Sequence, residues 1–194
     1  MSGALSRFLY FARHGETDWN ATGRLQGQTD IPLNTAGRDQ ARVLAGRMQH
    51  LGLVTIASSD LSRARDTAEI VARSLGLEVT YVDHAFRERG CGIFEGLTAA
   101  ECEARDPVAW AARIDPTFAP PGGEPIAQVS ERMLAASERL LAHHRIPALV
   151  VSHGRAIREL VRRVRGADVP PISNAAVYRV TVRDGALTDA VLLD

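Results

Sequence analysis

The stretch Phe8-Leu9-Tyr10-Phe11-Ala12-Arg13-His14-Gly15-Glu16-Thr17 is an apolar run that ends abruptly in polar residues. A short apolar run bounded by glycine is typical of a buried central strand in a parallel sheet. Ligands of open α/β sheets bind just beyond the carboxyl ends of the strands, where Arg13 and His14 would emerge. The run therefore predicts a central strand with a polar site at its end.

A second stretch repeats this arrangement near the other end of the chain. Ala148-Leu149-Val150-Val151-Ser152 is an apolar run, and His153 and Gly154 follow it at once. Two strands that each deliver a His-Gly pair at the carboxyl edge would place both imidazoles in one cleft. Chemistry at that cleft is the starting hypothesis.

The chain between these stretches alternates helical and extended patterns. Apolar residues at helical spacing predict helices from Asn34 to about 51 and from about 61 to Gly76, and strands at 54–57 and 77–82. A βαβαβ order argues for a parallel sheet with right-handed crossovers. The connection 15–33 has no periodic pattern, and loops of this length are usually functional.

The second half of the chain is less regular. A short helix is expected at 98–105, and the Pro- and Gly-rich segment 106–124 reads as a lid-like excursion over the cleft. Helical spacing then predicts a long helix over 126–140 and another over 157–164. Two terminal strands follow at 175–182 and 186–193.

Composition limits the function classes. The 194 residues fit a single domain spanning 1–194, and a net charge of zero provides no bulk field to attract nucleic acid or an anionic membrane. The 23 cationic side chains are all arginine, which excludes a Schiff-base or P-loop lysine. Arginine or histidine must therefore hold any phosphate by side-chain charge.

Cysteine usage and the N-terminus indicate a cytoplasmic location. Cys91 and Cys102 have no CxxC spacing, so neither a disulfide framework nor a zinc site is expected. No apolar run approaches the length of a membrane span, and the first residues lack a signal-peptide pattern. We expect no metal, no other cofactor and no membrane partner, and the oligomeric state stays open between a monomer and a homodimer.

Four ordered motifs resemble those of the histidine phosphatase superfamily, the phosphoglycerate-mutase-like proteins. They cover most of the chain and together are far more specific than the first tripeptide alone. The motifs are Arg13-His14-Gly15-Glu16-Thr17, Ser58-Ser59-Asp60-Leu61-Ser62-Arg63-Ala64-Arg65-Asp66-Thr67-Ala68, Arg87-Glu88-Arg89-Gly90-Cys91-Gly92-Ile93-Phe94-Glu95-Gly96 and Ser152-His153-Gly154. The resemblance implies a three-layer α/β/α sandwich with a mostly parallel central sheet, as in phosphoglycerate mutase.

The resemblance also implies the roles of the motif residues. His14 is the candidate nucleophile, and its second ring nitrogen should be fixed by a backbone carbonyl. Arg13, Arg63 and His153 are the candidates to surround the phosphoryl oxygens. Glu88 matches the general acid, although Glu16 and Glu95 remain rival carboxylates.

Secondary contacts to phosphate or substrate are expected from a further group of residues. Gly15 would let the backbone approach the phosphate, and the amides after Gly154 would point at the same anion. Arg155 stands where the family commonly has a small residue, so it either adds an anion contact or caps the cleft wall. Pro125 replaces a common serine, and a proline is compatible with the first turn of a helix. Asn20 and Gln26 complete the group.

The resulting prediction is a metal-independent phosphatase that hydrolyses a small phosphomonoester, such as a phosphorylated sugar or organic acid, through phosphohistidine. A phosphoglycerate mutase that uses the same site is the closest alternative. A catalytically silent module that binds a phosphorylated ligand is an alternative of a different class. A module that only binds its ligand needs neither a nucleophile nor an acid, so the presence of both argues against this alternative.

Overall fold

A six-stranded sheet forms the centre of the protein in the computed structural model, which describes residues 7–193. The strand order is β3-β2-β4-β1-β5-β6, where β1 to β4 are parallel, β5 pairs antiparallel with β1, and β6 pairs antiparallel with β5. The predicted mostly parallel sheet is therefore confirmed. The strands are β1 (Arg7–Arg13), β2 (Thr55–Ser58), β3 (Val79–Val82), β4 (Ala148–Ser152), β5 (Val177–Arg183) and β6 (Ala186–Leu193).

Strand β4 lies between β1 and β2, although it comes more than 90 residues after β2 begins in sequence. Each of its residues is buried, as in β2. A strand that is apolar on both faces belongs at the centre of a sheet covered by helices. The parallel register pairs Arg13 with Ser152, so the residues that follow both strands emerge at the same level.

Helices cover both faces of the sheet and make the predicted three-layer sandwich. Two of them, α2 and α3, bury apolar residues on one face, and α6 and α7 bury theirs on the other. The helices are α1 (Asp18–Ala21), α2 (Thr35–Met48), α3 (Ser62–Leu75), α4 (Ala99–Arg105), α5 (Pro107–Ala112), α6 (Ile126–His143) and α7 (Gly154–Arg165).

The ends of the predicted helices follow their local signals. Asn34 caps α2 by accepting a hydrogen bond from the Gly37 amide at 2.8 Å, and Gly76 ends α3 with a φ of 68°. Pro125 is the N-cap of α6, which is compatible with its missing amide hydrogen. Helix α2 ends at Met48, three residues before the predicted apolar face ends.

Two short helices occur in segments where the sequence indicated none. Helix α1 lies in the connection after β1, where Thr17 and Asn20 form a capping box. Helix α5 lies within the expected lid-like excursion, with Asp106 as its N-cap and a proline in its first turn. Residues of this segment pack on a third apolar cluster, away from the sheet, built on Phe94, Cys102 and Ala109. We call α4, α5 and the chain to residue 124 the cap.

Within the part of the chain that the structure describes, no helix is long and apolar enough to cross a membrane. Residues 1–6, whose pattern entered the expectation about location, lie outside the described residues.

Candidate active site

The imidazoles of His14 and His153 lie together at the carboxyl ends of β1 and β4. Their ring centroids are 5.1 Å apart, and both residues are buried. The pairing of Arg13 with Ser152 produces this proximity, and the His14 amide donates to the Ser152 carbonyl at 3.0 Å. The structure thus brings together the two His-Gly pairs that the sequence singled out.

The tautomer of His14 follows from its one ring contact. Its Nδ1 lies 2.6 Å from the Gly15 carbonyl oxygen, which can only accept, so Nδ1 carries the hydrogen. Burial lowers the pKa of His14 well below its usual value, and the charges of Arg63 and Arg13 lower it further. The ring is therefore neutral at physiological pH, with Nε2 unprotonated and available as a nucleophile.

His153 has the opposite tautomer. Its Nδ1 accepts a hydrogen bond from Arg63 Nε at 3.2 Å, so the hydrogen is on Nε2. That Nε2 is buried and has no hydrogen-bond partner within residues 7–193. Burial, followed by the charge of Arg63, lowers the pKa of His153 well below its usual value. His153 is thus a neutral hydrogen-bond donor beside His14.

Arg63 is held rigidly and is completely buried. Besides its bond to His153, it donates to the Thr29 carbonyl through Nη1 and to the Gly27 carbonyl through Nη2, both at 2.8 Å. Because a guanidinium has five N–H groups, two of them are left for a ligand. The loop after α1 therefore positions this cation.

Arg13 is fixed by a hydrogen bond from Nη1 to the Ile172 carbonyl at 2.6 Å. Its Nε is buried and lacks a partner in the described part of the chain. A second unsatisfied donor therefore lies close to the two histidines. Buried donors without partners are rare in folded proteins and are expected where a ligand binds.

Gly15 has a different role from the one predicted. A Cβ on Gly15 would lie 2.2 Å from the Gly37 carbonyl oxygen, and the Gly15 amide already donates to Thr67 Oγ1 at 3.1 Å. Gly15 therefore allows the start of α2 to pack against the end of β1, and its amide is not free for phosphate. A Cβ on Gly154 would lie 3.2 Å from Arg13 Nε.

Glu88 is held by the first turn of α7. Its Oε1 accepts from the amides of Ala156 and Arg89, both at 2.9 Å, and its Oε2 accepts from the Arg155 amide at 3.0 Å. Two of the helix amides expected to face phosphate, those of Arg155 and Ala156, are therefore bonded to the candidate acid. Oε2 accepts one bond fewer than Oε1, so it has a lone pair left for a proton.

The rival carboxylates are engaged elsewhere. Glu95 accepts from the Gln28 and Cys91 amides through Oε1, and from the Thr29 amide and hydroxyl through Oε2. Glu16 accepts from Asn34 Nδ2 at 2.9 Å. Neither lines the cavity described below, whereas Glu88 does. The geometry therefore favours Glu88 as the group that reaches a substrate.

Asn20 and Gln26 both line the cavity in front of His14. The Asn20 side-chain oxygen accepts from the Thr17 amide and from Asn174 Nδ2, both at 3.2 Å, which turns its amide nitrogen away from these partners. Asn174 also donates to the His14 carbonyl at 3.0 Å. It is a positioning residue that the sequence analysis missed, because no local pattern connects positions 160 residues apart.

The cavity in front of His14 has a volume of about 450 Å³. Seven of the ten predicted residues line it, whereas Gly15, His153 and Gly154 do not. The remaining wall, which the motifs did not assign to the site, comes from the loop after α1, the segment 89–94, the cap and α7. These additional residues are Arg24, Leu25, Gly27, Arg89, Cys91, Phe94, Trp110, Arg113, Ile114, Pro120 and Arg158.

Arg89 attaches the cap to the site. Its three nitrogens donate to the carbonyls of Glu124, Arg113 and Phe118 at 2.9 to 3.1 Å.

Cys91 is a poor candidate nucleophile, because burial raises the pKa of its thiol to about 12. Within residues 7–193 no group of three or more His, Cys, Asp or Glu side chains is arranged to hold a metal ion.

A neutral histidine beside Arg13 and the buried Arg63, at the carboxyl edge of a parallel α/β sheet, has the groups that phosphoryl transfer requires. The family model of the histidine phosphatase superfamily (branch 1) matches residues 9–191. The chain belongs to this superfamily, and it is an enzyme of the histidine phosphatase type.

Similar proteins carry both phosphatase and mutase names. Phosphoglycerate mutase-like protein 4 of Arabidopsis thaliana is 37% identical over 91% of this chain and 80% of its own length. The probable phosphoglycerate mutase GpmB of Escherichia coli is 40% identical over 81% of this chain and 74% of its own length. The structure of the mycobacterial glucosyl-3-phosphoglycerate phosphatase is 32% identical, with a TM-score of 0.84 and 97% of both chains covered.

Proposed function

We propose that the protein is a metal-independent phosphomonoester hydrolase that acts through a phosphohistidine at His14. The observation that carries this proposal is the unprotonated Nε2 of a neutral His14 beside two buried, unsatisfied donors, Arg13 Nε and His153 Nε2. A nucleophile and donors for an oxyanion are the elements that phosphoryl transfer requires. A purely ligand-binding module needs only the donors.

In the first step, His14 Nε2 attacks phosphorus while the bond between phosphorus and the leaving oxygen breaks. Arg13, the two remaining N–H groups of Arg63, and His153 Nε2–H bind the three equatorial oxygens, whose charge they stabilise. Glu88 gives its proton to the leaving oxygen, so an alcohol departs instead of an alkoxide. The guanidinium groups supply the positive charge that a metal ion supplies in other phosphatases.

In the second step, a water molecule attacks phosphohistidine, and the same Glu88 carboxylate takes its proton. The bond between phosphorus and Nε2 breaks, inorganic phosphate leaves, and His14 and Glu88 return to their starting states. His14 needs no proton during this cycle, because Nδ1–H stays on the Gly15 carbonyl. The hydrogen bond keeps the same nitrogen available in every turnover.

Trapping the intermediate tests the proposal. Rapid quenching after exposure to a labelled phosphomonoester should give a phosphoenzyme that is acid-labile and alkali-stable, as expected of phosphohistidine. His14→Ala should not be labelled, whereas the control His50→Ala, at an exposed site, should be labelled like the wild type. A label that persists in His14→Ala would refute the assignment.

A phosphoglycerate mutase is the second candidate, because two of the similar proteins are named so. A mutase must protect phosphohistidine from water while its substrate reorients. The cap that would shield the intermediate is short, and Arg105 and Arg113 are its basic residues between positions 97 and 123. We therefore expect hydrolysis to outpace isomerisation.

Incubation with 3-phosphoglycerate and 2,3-bisphosphoglycerate separates the two activities. We expect little 2-phosphoglycerate, while a suitable phosphomonoester releases inorganic phosphate. Isomerisation that outpaces phosphate release on every substrate tried would favour the mutase.

The expected partner is a small-molecule substrate, and a cytoplasmic location agrees with two free cysteines.

A further inference from the structure

Besides the predicted site residues and Gly27, the cavity is lined by a group of side chains that are either apolar or arginine. We call this group, together with Arg155, the outer wall. The members are Arg24, Leu25, Arg89, Cys91, Phe94, Trp110, Arg113, Ile114, Pro120, Arg155 and Arg158. Arginine donates hydrogen bonds and cannot accept them. The polar side chains of the outer wall are therefore all donors.

This donor-only chemistry selects among leaving groups. Each hydroxyl of a sugar is a donor as well as an acceptor, so a bound sugar would need acceptors from the protein. A carboxylate or a second phosphate only accepts, and it also carries the charge that guanidinium groups attract. The outer wall thus fits an anion on an apolar body better than a polyhydroxylated group. Elsewhere in the cavity Gln26 Oε1, which is buried and has no partner among the described residues, can accept from a single hydroxyl.

Most of these arginines are already bonded to the protein. Arg89 donates to three carbonyls, and Arg24 donates to the Gly96 carbonyl and to Glu101. Arg158 donates to the Val169 carbonyl and to Asp168. Arg113 stacks on the Trp110 ring, 3.7 Å from its centroid. These contacts shape the wall and use much of its donor capacity.

Arg155 differs because the edge of its guanidinium formed by Nη1 and Nη2 makes no hydrogen bond to the described residues. Its Nε lies 2.7 Å from Glu159 Oε1, one turn further along α7, while Nη1 and Nη2 have no hydrogen-bond partner among the described residues. This contact is an ion pair without hydrogen-bond geometry, and the buried carboxylate of Glu159 keeps the guanidinium beside it by charge. The free edge presents two parallel donors, a geometry that matches a carboxylate or phosphate.

The position of Arg155 relative to the acid supports a role in substrate selection. Its backbone amide donates to Glu88 Oε2 at 3.0 Å, so the residue that offers the free guanidinium also orients the candidate acid. An anion bound at Arg155 would then belong to the leaving group, since Glu88 protonates the leaving oxygen. Burial of Arg155 is partial, with 29% of its side chain exposed, so ligands can reach it.

We propose that the preferred substrates are phosphomonoesters whose leaving group joins an apolar body to a second anionic group, and that Arg155 binds this second anion. The inference rests on the proposed hydrolase function. The apolar body packs against Phe94, Trp110 and Ile114 on the cap side of the cavity. A cavity of about 450 Å³ lies within the roughly 300–1,000 Å³ of small-molecule sites and exceeds what a three-carbon acid would fill.

Two matched aryl phosphates test the proposal. The leaving group of 4-carboxyphenyl phosphate carries an anion, and that of 4-(hydroxymethyl)phenyl phosphate carries a neutral hydroxyl at the same place. We expect the wild type to favour the carboxylate in kcat/KM, mainly through KM. In Arg155→Gln this preference should fall roughly tenfold to a hundredfold, since a hydrogen-bonded charge pair is lost.

Two further variants control the interpretation. Arg155→Gln leaves Glu159 buried without its closest cation, so the double variant Arg155→Gln/Glu159→Gln removes both charges and should show the same loss of preference. Arg165→Gln removes an exposed arginine from the same helix and should keep the wild-type preference. In the wild type, 4-carboxybenzylphosphonate should inhibit at least tenfold more tightly than benzylphosphonate, and this difference should disappear in Arg155→Gln.

The outcomes separate this inference from the proposed function. Hydrolysis of both aryl phosphates without a preference in the wild type, or with a preference that survives in both Arg155 variants, would overturn the role of Arg155 and leave the hydrolase intact. Failure to release phosphate from any phosphomonoester would overturn the proposed function itself. The phosphonate pair tests the role of Arg155 even then, since it measures binding alone.

Discussion

Replacing Glu95 by glutamine should weaken anion binding at the phosphate site, although Glu95 itself does not line the cavity. The Glu95 carboxylate accepts four hydrogen bonds, two at each oxygen, from the Gln28, Thr29 and Cys91 amides and the Thr29 hydroxyl. These bonds fix the loop whose Gly27 and Thr29 carbonyls hold Arg63. A Cβ on Gly27 would lie 2.0 Å from Glu95 Oε1, which shows how closely the loop wraps the carboxylate.

The magnitude follows from the hydrogen-bond count. A glutamine has one acceptor oxygen. If its NH2 group takes the place of Oε2, the Thr29 hydroxyl can turn and accept from it, but the Thr29 amide still faces a donor. At least one hydrogen bond to a charged acceptor is lost, worth about 1.5–3 kcal/mol. The free energy of unfolding of Glu95→Gln should therefore fall by about 1.5–3 kcal/mol.

Urea unfolding and vanadate inhibition measure the two consequences. We expect lower stability. In urea-free buffer, at a temperature where the variant is folded, the vanadate inhibition constant should be at least tenfold weaker, since Arg63 is less well held. Glu103→Gln, at an exposed site on α4, is the matched control and should change stability by less than about 0.5 kcal/mol. If Glu95→Gln behaved like Glu103→Gln in both assays, the positioning role would be wrong.

Three more predictions follow from the site. Glu88→Gln should slow alkyl phosphates much more than p-nitrophenyl phosphate, whose phenolate leaves without a proton, and equal losses would point to a positioning role. Chelators should leave turnover unchanged and vanadate should inhibit; activity lost with chelator and restored by a divalent ion would contradict the metal-free mechanism. The pKa of His14 is depressed in the folded state, so its stabilising contribution is present above the unfolded value of about 6.5 and is lost as the pH falls below it. From pH 7 to pH 5 the free energy of unfolding should thus fall more in the wild type than in His14→Gln, and equal decreases in the two proteins, measured by urea unfolding at each pH, would refute the depressed pKa.

The sheet and its helices could be predicted because their signals are local. The helical spacing of Ala64, Ala68 and Val71 is visible in the sequence and predicts a buried face of α3, and Gly76 marks its end. Likewise, the apolar runs that precede His14 and His153 predict strands. The insertion of β4 between β1 and β2 could not be predicted from the sequence, because strand order depends on packing between distant segments.

The central residues of the site could be predicted because motifs follow strand ends, but their partners could not. Asn174 contacts the His14 carbonyl across 160 positions, and no local spacing indicates it. The run of arginines around Arg158 is typical of a solvated helix face, yet Arg158 lines the cavity. Its helical position is compatible with either environment until the cap is placed over α7.

The first turn of α7 links the chemistry of the site to its selectivity. We expected its amides to bind phosphate, as free helix N-termini do. The amides of Arg155 and Ala156 bind Glu88 instead, so we assign the phosphate mainly to the side chains of Arg13, Arg63 and His153. Consequently the Arg155 backbone orients the acid while the Arg155 side chain faces the leaving group. A substrate anion that pairs with this guanidinium would bring its leaving oxygen toward Glu88 Oε2, so that binding energy remote from phosphorus aligns the proton transfer.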